Sequence, residues 1–216
     1  MADRPSSGRG VVPGALAVGL VAAQAGFAAT FRGPRERFWQ RMTSAGTVLG
    51  TLALVSERDL RRDIRIRKKD IGLGLAAAAG LYGVFQAGDR LARKLLPTGG
   101  DDIGEIYALD RLRPKPEIAA RLALVIGPAE ELFWRGFVQR RLQRTRLGRW
   151  KGAAAAAAAY GGAHVVTGNL TLTGAAGVAG AYWSALAAAG MPMGALIVSH
   201  VAWDVWIFLV APTAPR

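Results

Sequence analysis

The sequence predicts an all-α fold, a polytopic transmembrane helix bundle of about seven spans (six to eight) with no sheet. Apolar residues make up 51% of the 216-residue chain, and its mean hydropathy is +0.22. The charged residues are clustered, and residues 152–203 contain no Asp, Glu, Lys or Arg. Such a stretch has no charged residues with which to form a water-exposed surface. Because a helix that crosses a bilayer needs about 20 apolar residues, the stretch is long enough for more than one such helix.

Composition also limits the chemistry and the partners. The chain has no Cys, which excludes a disulfide scaffold, a thiolate metal site and a cysteine nucleophile. Its net charge is +13, from 28 Lys and Arg against 15 Asp and Glu. In a chain this apolar, basic loops beside membrane spans explain the positive charge better than binding to nucleic acid does. We therefore expect the lipid bilayer, and no nucleic acid, among the partners.

Three apolar runs in the N-terminal half are interpreted as spans. Residues 10–31 have the length of a span; a cleaved signal peptide is the alternative, but its apolar core is normally about 7–15 residues long. Residues 42–56 form a thin span unless residues 38–40 extend it as interfacial anchors. The third span is predicted at 71–88.

Four further spans are predicted in the C-terminal half. Residues 122–138 form one if the charged side chains inside it are tolerated. The uncharged stretch is too long for two helices, and Gly168-Asn169 and Gly190-Met191-Pro192 are typical breaks within it. The spans that result are 152–168, 172–190 and 192–210.

The loops indicate the orientation of the bundle. Lys and Arg are more numerous in the loops on the side of the N-terminus, which predicts that this side is cytoplasmic and that a cavity near Arg135 opens inward. The long loop 89–121 has apolar residues at helical spacing: Ile103, Ile106, Leu109 and Leu112. Part of it is therefore expected on the membrane surface. The chain is predicted to be a multi-pass protein of a bacterial-type cell membrane.

Besides Arg135, five acidic residues and histidines fall inside predicted spans. They are Glu130, Glu131 and Asp204, the only acids outside the loops, and His164 and His200, the only histidines. A charge at mid-bilayer costs about 2.5–3.5 kcal/mol even on the lenient insertion scale, so each residue must face the bundle interior and find a partner. Such residues are functional candidates by default.

Helical spacing groups these residues into pairs. Residues four apart share one face of a helix, as do Glu131 and Arg135, Tyr160 and His164, and His200 and Asp204. Glu130 points about 100° away from the Glu131 pair and is expected to stay free. Three helices thus present a polar pair to a common interior, as in bundles that build catalytic or metal sites.

Structural roles are the alternative for each pair taken alone. The 130–135 group could mark a helix end whose side chains reach toward the basic loop 135–151. A histidine in a span is more often a hydrogen-bonded structural residue than a ligand, and His200 with Asp204 could link two helices. Because every acid and histidine inside a span belongs to one of three short motifs, a functional site is the favoured interpretation.

The ordered motifs resemble the CPBP family, which comprises CAAX prenyl proteases and bacteriocin-processing enzymes and is also called the Abi family. A Glu-Glu-x-x-x-Arg-Gly-Phe motif lies at 130–137, an aromatic-x-x-x-His motif at 160–164 and a His-x-x-x-Asp motif at 200–204. The resemblance covers about residues 117–211, the expected catalytic core. Residues 1–116 carry no motif and match only in being hydrophobic; both parts are expected to form one integral-membrane domain.

The resemblance implies an intramembrane endopeptidase that acts on a peptide or protein, with a lipidated or membrane-embedded substrate among the alternatives. The catalytic residues that it implies are Glu130, Glu131, Arg135, His164, His200 and Asp204. Glu130 and His164 would activate the attacking water. His200 and Asp204 would stabilise the oxyanion of the tetrahedral intermediate, and the remaining two would shape and orient the site.

Two positions depart from the family pattern. Tyr160 stands where Phe is usual, and its hydroxyl needs a partner. Asp204 stands where the prenyl-protease branch has Asn; an ionised Asp cannot donate to an oxyanion, so it is protonated, orients His200 or binds a metal. Zn²⁺ held by Glu130, His164 and His200 is one alternative and a metal-free Glu/His pair is the other. The His-Glu-x-x-His spacing of common zinc proteases is missing.

Two other functions are alternatives to the protease. A non-catalytic membrane scaffold, for immunity or regulation, would use the same polar residues to link helices. A proton-coupled carrier would use Glu130, His164 and Asp204 as a relay. Carriers typically show inverted repeats and a helix broken near mid-membrane, and the sequence shows neither clearly.

Overall fold

A computed structural model describes residues 13–95 and 108–211 of the chain. Within these two ranges the chain is helical and contains no β-strand, which confirms the all-α prediction there. The helices are α1 (Pro13–Phe31), α2 (Phe38–Ser56), α3 (Leu60–Asp63), α4 (Lys68–Leu95), α5 (115–143), α6 (Gly148–Ala163), α7 (Leu170–Ala189) and α8 (Met193–Val205). Short 3-10 turns lie at Arg35–Arg37, Ala108–Leu112 and His164–Thr167.

Helix α5, which carries the first motif, is continuous but not uniformly α-helical. The α-helical segments Lys115–Arg121, Gly127–Glu131 and Arg140–Gln143 alternate with the π-helical segments Leu122–Ile126 and Leu132–Gln139. Pro128 has no N–H to donate, so one i→i−4 bond is missing just after the first π-helical segment. π-Helical turns are frequent at functional sites. Their position on either side of Glu130 therefore indicates that this part of α5 belongs to a candidate site.

The long helices coincide with the predicted spans. Among the described residues, three of them have the length and hydropathy of a helix that crosses a membrane: Gly14–Phe31, Lys68–Gly88 and Met193–Val210. A helical membrane bundle is consistent with this finding, and the count of seven spans stays a prediction.

The second span is longer than its apolar run, because α2 begins at Phe38. Phe38 and Trp39 are buried in the bundle, and the Trp39 indole donates a hydrogen bond to the carbonyl oxygen of Leu109 at 2.9 Å. Leu109 is itself buried against the bundle, so its side chain does not face outward as a residue lying on the membrane surface would. The predicted surface residues Ile103 and Ile106 lie outside the described residues, as do residues 10–12 of the first span.

Close helix packing places α5 at the centre of the bundle. Helix α6 packs along α7, α4 along α8 and α1 along α2, while α5 contacts α2, α6 and α8. Gly50 of α2 lies against Ala129 of α5, where a Cβ atom on the glycine would be 3.0 Å from the Ala129 Cβ. Gly161 of α6 packs against Gly177 of α7 in the same way: a Cβ atom on Gly161 would be 3.1 Å from the Gly177 Cα. Small residues therefore allow the close approach of backbones that membrane bundles require.

The turns that connect the helices lie at two ends of the bundle. The basic end is formed by the turns 57–67 and 144–147, which are joined because Glu57 accepts hydrogen bonds from Arg141 at 2.9 Å and from Arg144 at 2.8 Å. The opposite end contains the turns 32–37 and 164–169. These two turns are linked by a hydrogen bond from the Arg32 side chain to a backbone carbonyl, 2.9 Å long.

Candidate active site

Four of the predicted site residues line one cavity inside the bundle. Glu130 comes from α5, His164 from the end of α6, and His200 and Asp204 from α8. The cavity encloses about 950 Å³ of space free of protein atoms, part of it open to the surroundings. The rest of its wall is mainly aromatic and aliphatic and includes Phe31, Phe38, Phe85, Trp183, Trp203 and Phe208.

His164 is positioned by its own helix. It begins the 3-10 turn that follows α6, and Gly168 ends that turn with a φ of 71°, in the left-handed region that favours glycine. The Nδ1 atom donates a hydrogen bond to the carbonyl oxygen of Tyr160 at 2.9 Å. Because a carbonyl can only accept, Nε2 is the ring nitrogen that carries the lone pair. The ring is held edge-on against Phe27, with the centroids 4.8 Å apart.

Glu131 accepts hydrogen bonds from two other predicted residues. Arg135 Nη1 donates to Oε1 at 2.9 Å, which is the i,i+4 pair that the spacing predicts, and both side chains are fully buried. His200 Nδ1 donates to the same oxygen at 2.7 Å. Glu131 thus joins α5 to α8 and fixes the orientation of the imidazole. Glu131 and Arg135 lie behind His200 and are not among the described residues that line the cavity.

The second nitrogen of His200 faces two carboxylates. Its Nε2 lies 3.5 Å from Asp204 Oδ2 and 3.9 Å from Glu130 Oε2. Together with Glu131 on the other side, three carboxylates surround the ring and can balance a positive charge on it. Asp204 thus lies beside the imidazole on its own helix, as the His-x-x-x-Asp spacing predicts.

Trp183 of α7 stacks on the His200 ring, and the sequence motifs do not include it. The two ring centroids are 4.1 Å apart and the planes differ by 16°. The indole Nε1 donates to Ser199 Oγ at 3.0 Å, and the Arg135 guanidinium lies 5.3 Å from the ring centre. Ser199 directly precedes the His-x-x-x-Asp motif, and its position next to His200 is the sequence feature that could have indicated this contact. The role of Trp183 depends on how α7 packs against α8, which no local pattern reveals.

Glu130 is not free, contrary to the expectation from spacing alone. Its Oε2 accepts a hydrogen bond from the Tyr160 hydroxyl at 3.0 Å. Spacing relates residues on one helix, whereas this contact joins α5 to α6. The hydroxyl that distinguishes Tyr160 from the usual Phe therefore binds a predicted catalytic carboxylate.

The arrangement of the described residues does not fit a zinc site formed by Glu130, His164 and His200. Within 13–95 and 108–211, no group of three or more Asp, Glu or His side chains is placed to hold a metal ion. Three atoms of these residues already take part in hydrogen bonds: Glu130 Oε2 accepts from the Tyr160 hydroxyl, and Nδ1 of each histidine donates to an oxygen.

The cavity lies toward the opposite end of the bundle rather than the basic end. On α5 its lining residues, Leu122 and Ile126, precede Glu130, whereas the basic turn follows Arg135. Phe31 and Phe38, on either side of the turn 32–37, complete the wall at that end. The lining residues therefore lie toward the end away from the basic loops, whereas the loop charges predict an opening on the side of those loops.

Comparison with known families agrees with the motifs. Residues 116–206 match the family model described as type II CAAX prenyl endopeptidase, Rce1-like. The chain has no match among curated proteins or solved structures. The matched range contains all three motifs. Residues 116–206 of this chain are thus similar to the CAAX prenyl endopeptidase (Rce1-like) family.

Proposed function

We propose that this protein is an intramembrane endopeptidase that hydrolyses peptide bonds with water activated by Glu130 and His164. The observation that carries the proposal is that Glu130, His164, His200 and Asp204, which come from three separate helical segments, line one space. The family match of residues 116–206 supports the same reaction. A multi-pass arrangement in a cell membrane agrees with the long apolar helices.

The attacking water would be activated by Glu130 and His164. His164 Nε2 is available as a proton acceptor because Nδ1 donates to the backbone, and Glu130 contributes a carboxylate at the same cavity wall. One of them removes a proton as the water oxygen bonds to the scissile carbonyl carbon. That proton passes to the amide nitrogen as the C–N bond breaks, which releases an amine and a carboxylic acid.

His200 would stabilise the oxyanion of the tetrahedral intermediate. Its Nδ1–H is donated to Glu131, so a second proton on Nε2 would give an imidazolium whose N–H serves the oxyanion. Glu131 and Asp204 balance that positive charge from either side. An ionised Asp204 has no proton to donate, so we assign it to orienting His200 rather than to the oxyanion. No step of this mechanism passes through a metal ion.

The cavity wall favours an apolar substrate segment. Aromatic and aliphatic side chains surround the four polar residues, as in sites that bind apolar groups and orient them with a few polar contacts. A peptide with apolar or lipid-bearing residues beside the scissile bond would fit this wall. Such a substrate would reach the site from the bilayer or its surface.

Cleavage assays on the purified chain test the proposal. Quenched peptides, some of them prenylated, are incubated with wild type, Glu130→Gln and His164→Ala in detergent. We expect each variant to lose about 100-fold or more in kcat. Glu117→Gln is the matched control, because Glu117 lies on the same helix, is half-exposed and pairs with Arg121 at 2.8 Å.

The outcome that contradicts the proposal is equally definite. If wild type cleaves no peptide, and the two site variants differ from it only in unfolding temperature, the polar residues link helices. The scaffold alternative would then be correct.

A further inference from the structure

Tyr160 is a motif residue whose polar side chain has no part in the mechanism proposed for the site. The family pattern has Phe at this position, so the hydroxyl is an addition in this chain. It is buried, with 5% of the residue exposed, and it donates to Glu130 Oε2 at 3.0 Å. A buried hydroxyl must find a partner, and here the partner is the carboxylate of the proposed general base.

The surroundings of Tyr160 fix where its hydroxyl points. Trp134 packs edge-on against the ring, with the centroids 5.3 Å apart, and the Arg135 guanidinium lies 4.9 Å from the ring centre. On the facing helix, a Cβ atom at Gly180 would be 2.7 Å from the Tyr160 Cδ1 atom, so only glycine leaves room for the ring. The ring is therefore held on several sides, and the hydroxyl is a preorganised donor.

Tyr160 also holds the second proposed base. Its carbonyl oxygen accepts the hydrogen bond from His164 Nδ1 at 2.9 Å. Any residue at this position would supply that carbonyl, but only tyrosine adds the bond to Glu130. One residue thus contacts the two groups that are proposed to share the proton of the attacking water.

We propose that Tyr160 is a positioning residue of the site: its hydroxyl holds the Glu130 carboxylate through Oε2, so that Oε1 is presented to the water beside His164. This inference rests on the proposed function. A carboxylate that is already held by a donor loses less conformational entropy when it aligns the water for attack. Without the hydroxyl, Glu130 can turn toward His200 Nε2, which is 3.9 Å away.

The isosteric variant Tyr160→Phe tests the proposal, because it removes one oxygen and restores the residue usual in the family. We expect kcat to fall about tenfold with KM within about twofold of wild type, as for loss of a hydrogen bond to a charged group that aligns the base. Tyr182→Phe is the matched control. Its hydroxyl donates to the Ala77 carbonyl oxygen at 2.9 Å, and Tyr182 is not one of the described lining residues.

Infrared difference spectroscopy supplies a readout that does not need turnover. The carboxylate band of Glu130 is the one that disappears in Glu130→Gln. We expect this band to shift in Tyr160→Phe and to stay in place in Tyr182→Phe.

The outcomes are distinguishable. An unshifted band overturns the proposal, and so does a kcat equal to or above that of wild type. A loss of kcat that comes with a matching fall in unfolding temperature assigns Tyr160 to packing and also overturns it. If wild type cleaves no peptide, the proposed function fails, and the positioning role in catalysis fails with it even where the band shift shows that the hydroxyl contacts Glu130.

Discussion

Glu131 accepts hydrogen bonds from two helices at a single oxygen atom, and this contact organises the site. Arg135 reaches it from the next turn of α5 and His200 from α8. The first contact could be predicted, because residues four apart on a helix share a face. The second could not, because spacing along one chain segment says nothing about which helix faces it. The same holds for the bond between Tyr160 and Glu130.

Trp183 is predicted to matter through the orientation of His200. Trp183→Ala removes the stacked ring, so the imidazole gains freedom and we expect kcat to fall about 10- to 100-fold with a smaller change in KM. Trp183→Phe keeps an aromatic face and should restore most of the rate. The exposed Trp150 provides the control variant Trp150→Ala. Peptide cleavage measures all three, and wild-type kcat in Trp183→Ala would refute the role.

At the scale of elements, α5 differs most from its prediction. The apolar run predicts a span at 122–138, whereas the helix extends over 115–143 and contains two π-helical segments. Amphipathic and charged flanks can continue a helix that packing stabilises, so apolar length alone underestimates it. Pro128, which follows the first of these segments and lacks an N–H donor, is the one feature of this irregularity that the sequence shows.

The contact between α2 and α5 is predicted to support both stability and cleavage. A valine at position 50 would place its Cβ about 3.0 Å from that of Ala129, so the helices must separate beside Glu130. We expect Gly50→Val to lower the free energy of unfolding by about 1–3 kcal/mol and to reduce kcat. Gly83→Val on α4 is the control, because a Cβ atom at Gly83 would meet no neighbouring atom within 4 Å. Thermal unfolding in detergent and cleavage rates give the two readouts; equal behaviour of the two variants would contradict the packing argument.

At the scale of the whole molecule, the bundle has a basic end and a cavity directed toward the opposite end. The all-α bundle could be predicted from hydropathy and from the lack of charge over 152–203, since both are properties of the composition. The position of the cavity could not be predicted, because it depends on where along their length the helices leave space between them. Loop charge reports on orientation in the membrane and carries no information about empty space inside.

Glu57 is predicted to stabilise the basic end without affecting the chemistry. Its buried carboxylate pairs with Arg141 and Arg144, so Glu57→Gln leaves two guanidinium groups without their counter-charge. We expect a loss of about 1–3 kcal/mol in the free energy of unfolding, with kcat within about twofold of wild type. Asp59→Asn, at an exposed neighbouring position, should change neither. A large loss of kcat in folded Glu57→Gln would argue against the separation of the two ends.

The central claim is that Glu130 and His164 activate water inside the cavity, and cleavage in H₂¹⁸O tests it most directly. Mass spectrometry of the products shows whether ¹⁸O enters the new C-terminal carboxylate, and at what rate. The account predicts incorporation of one ¹⁸O per cleaved bond by wild type, and a rate at least about 100-fold lower for Glu130→Gln and His164→Ala. Incorporation at the wild-type rate by either folded variant would contradict it.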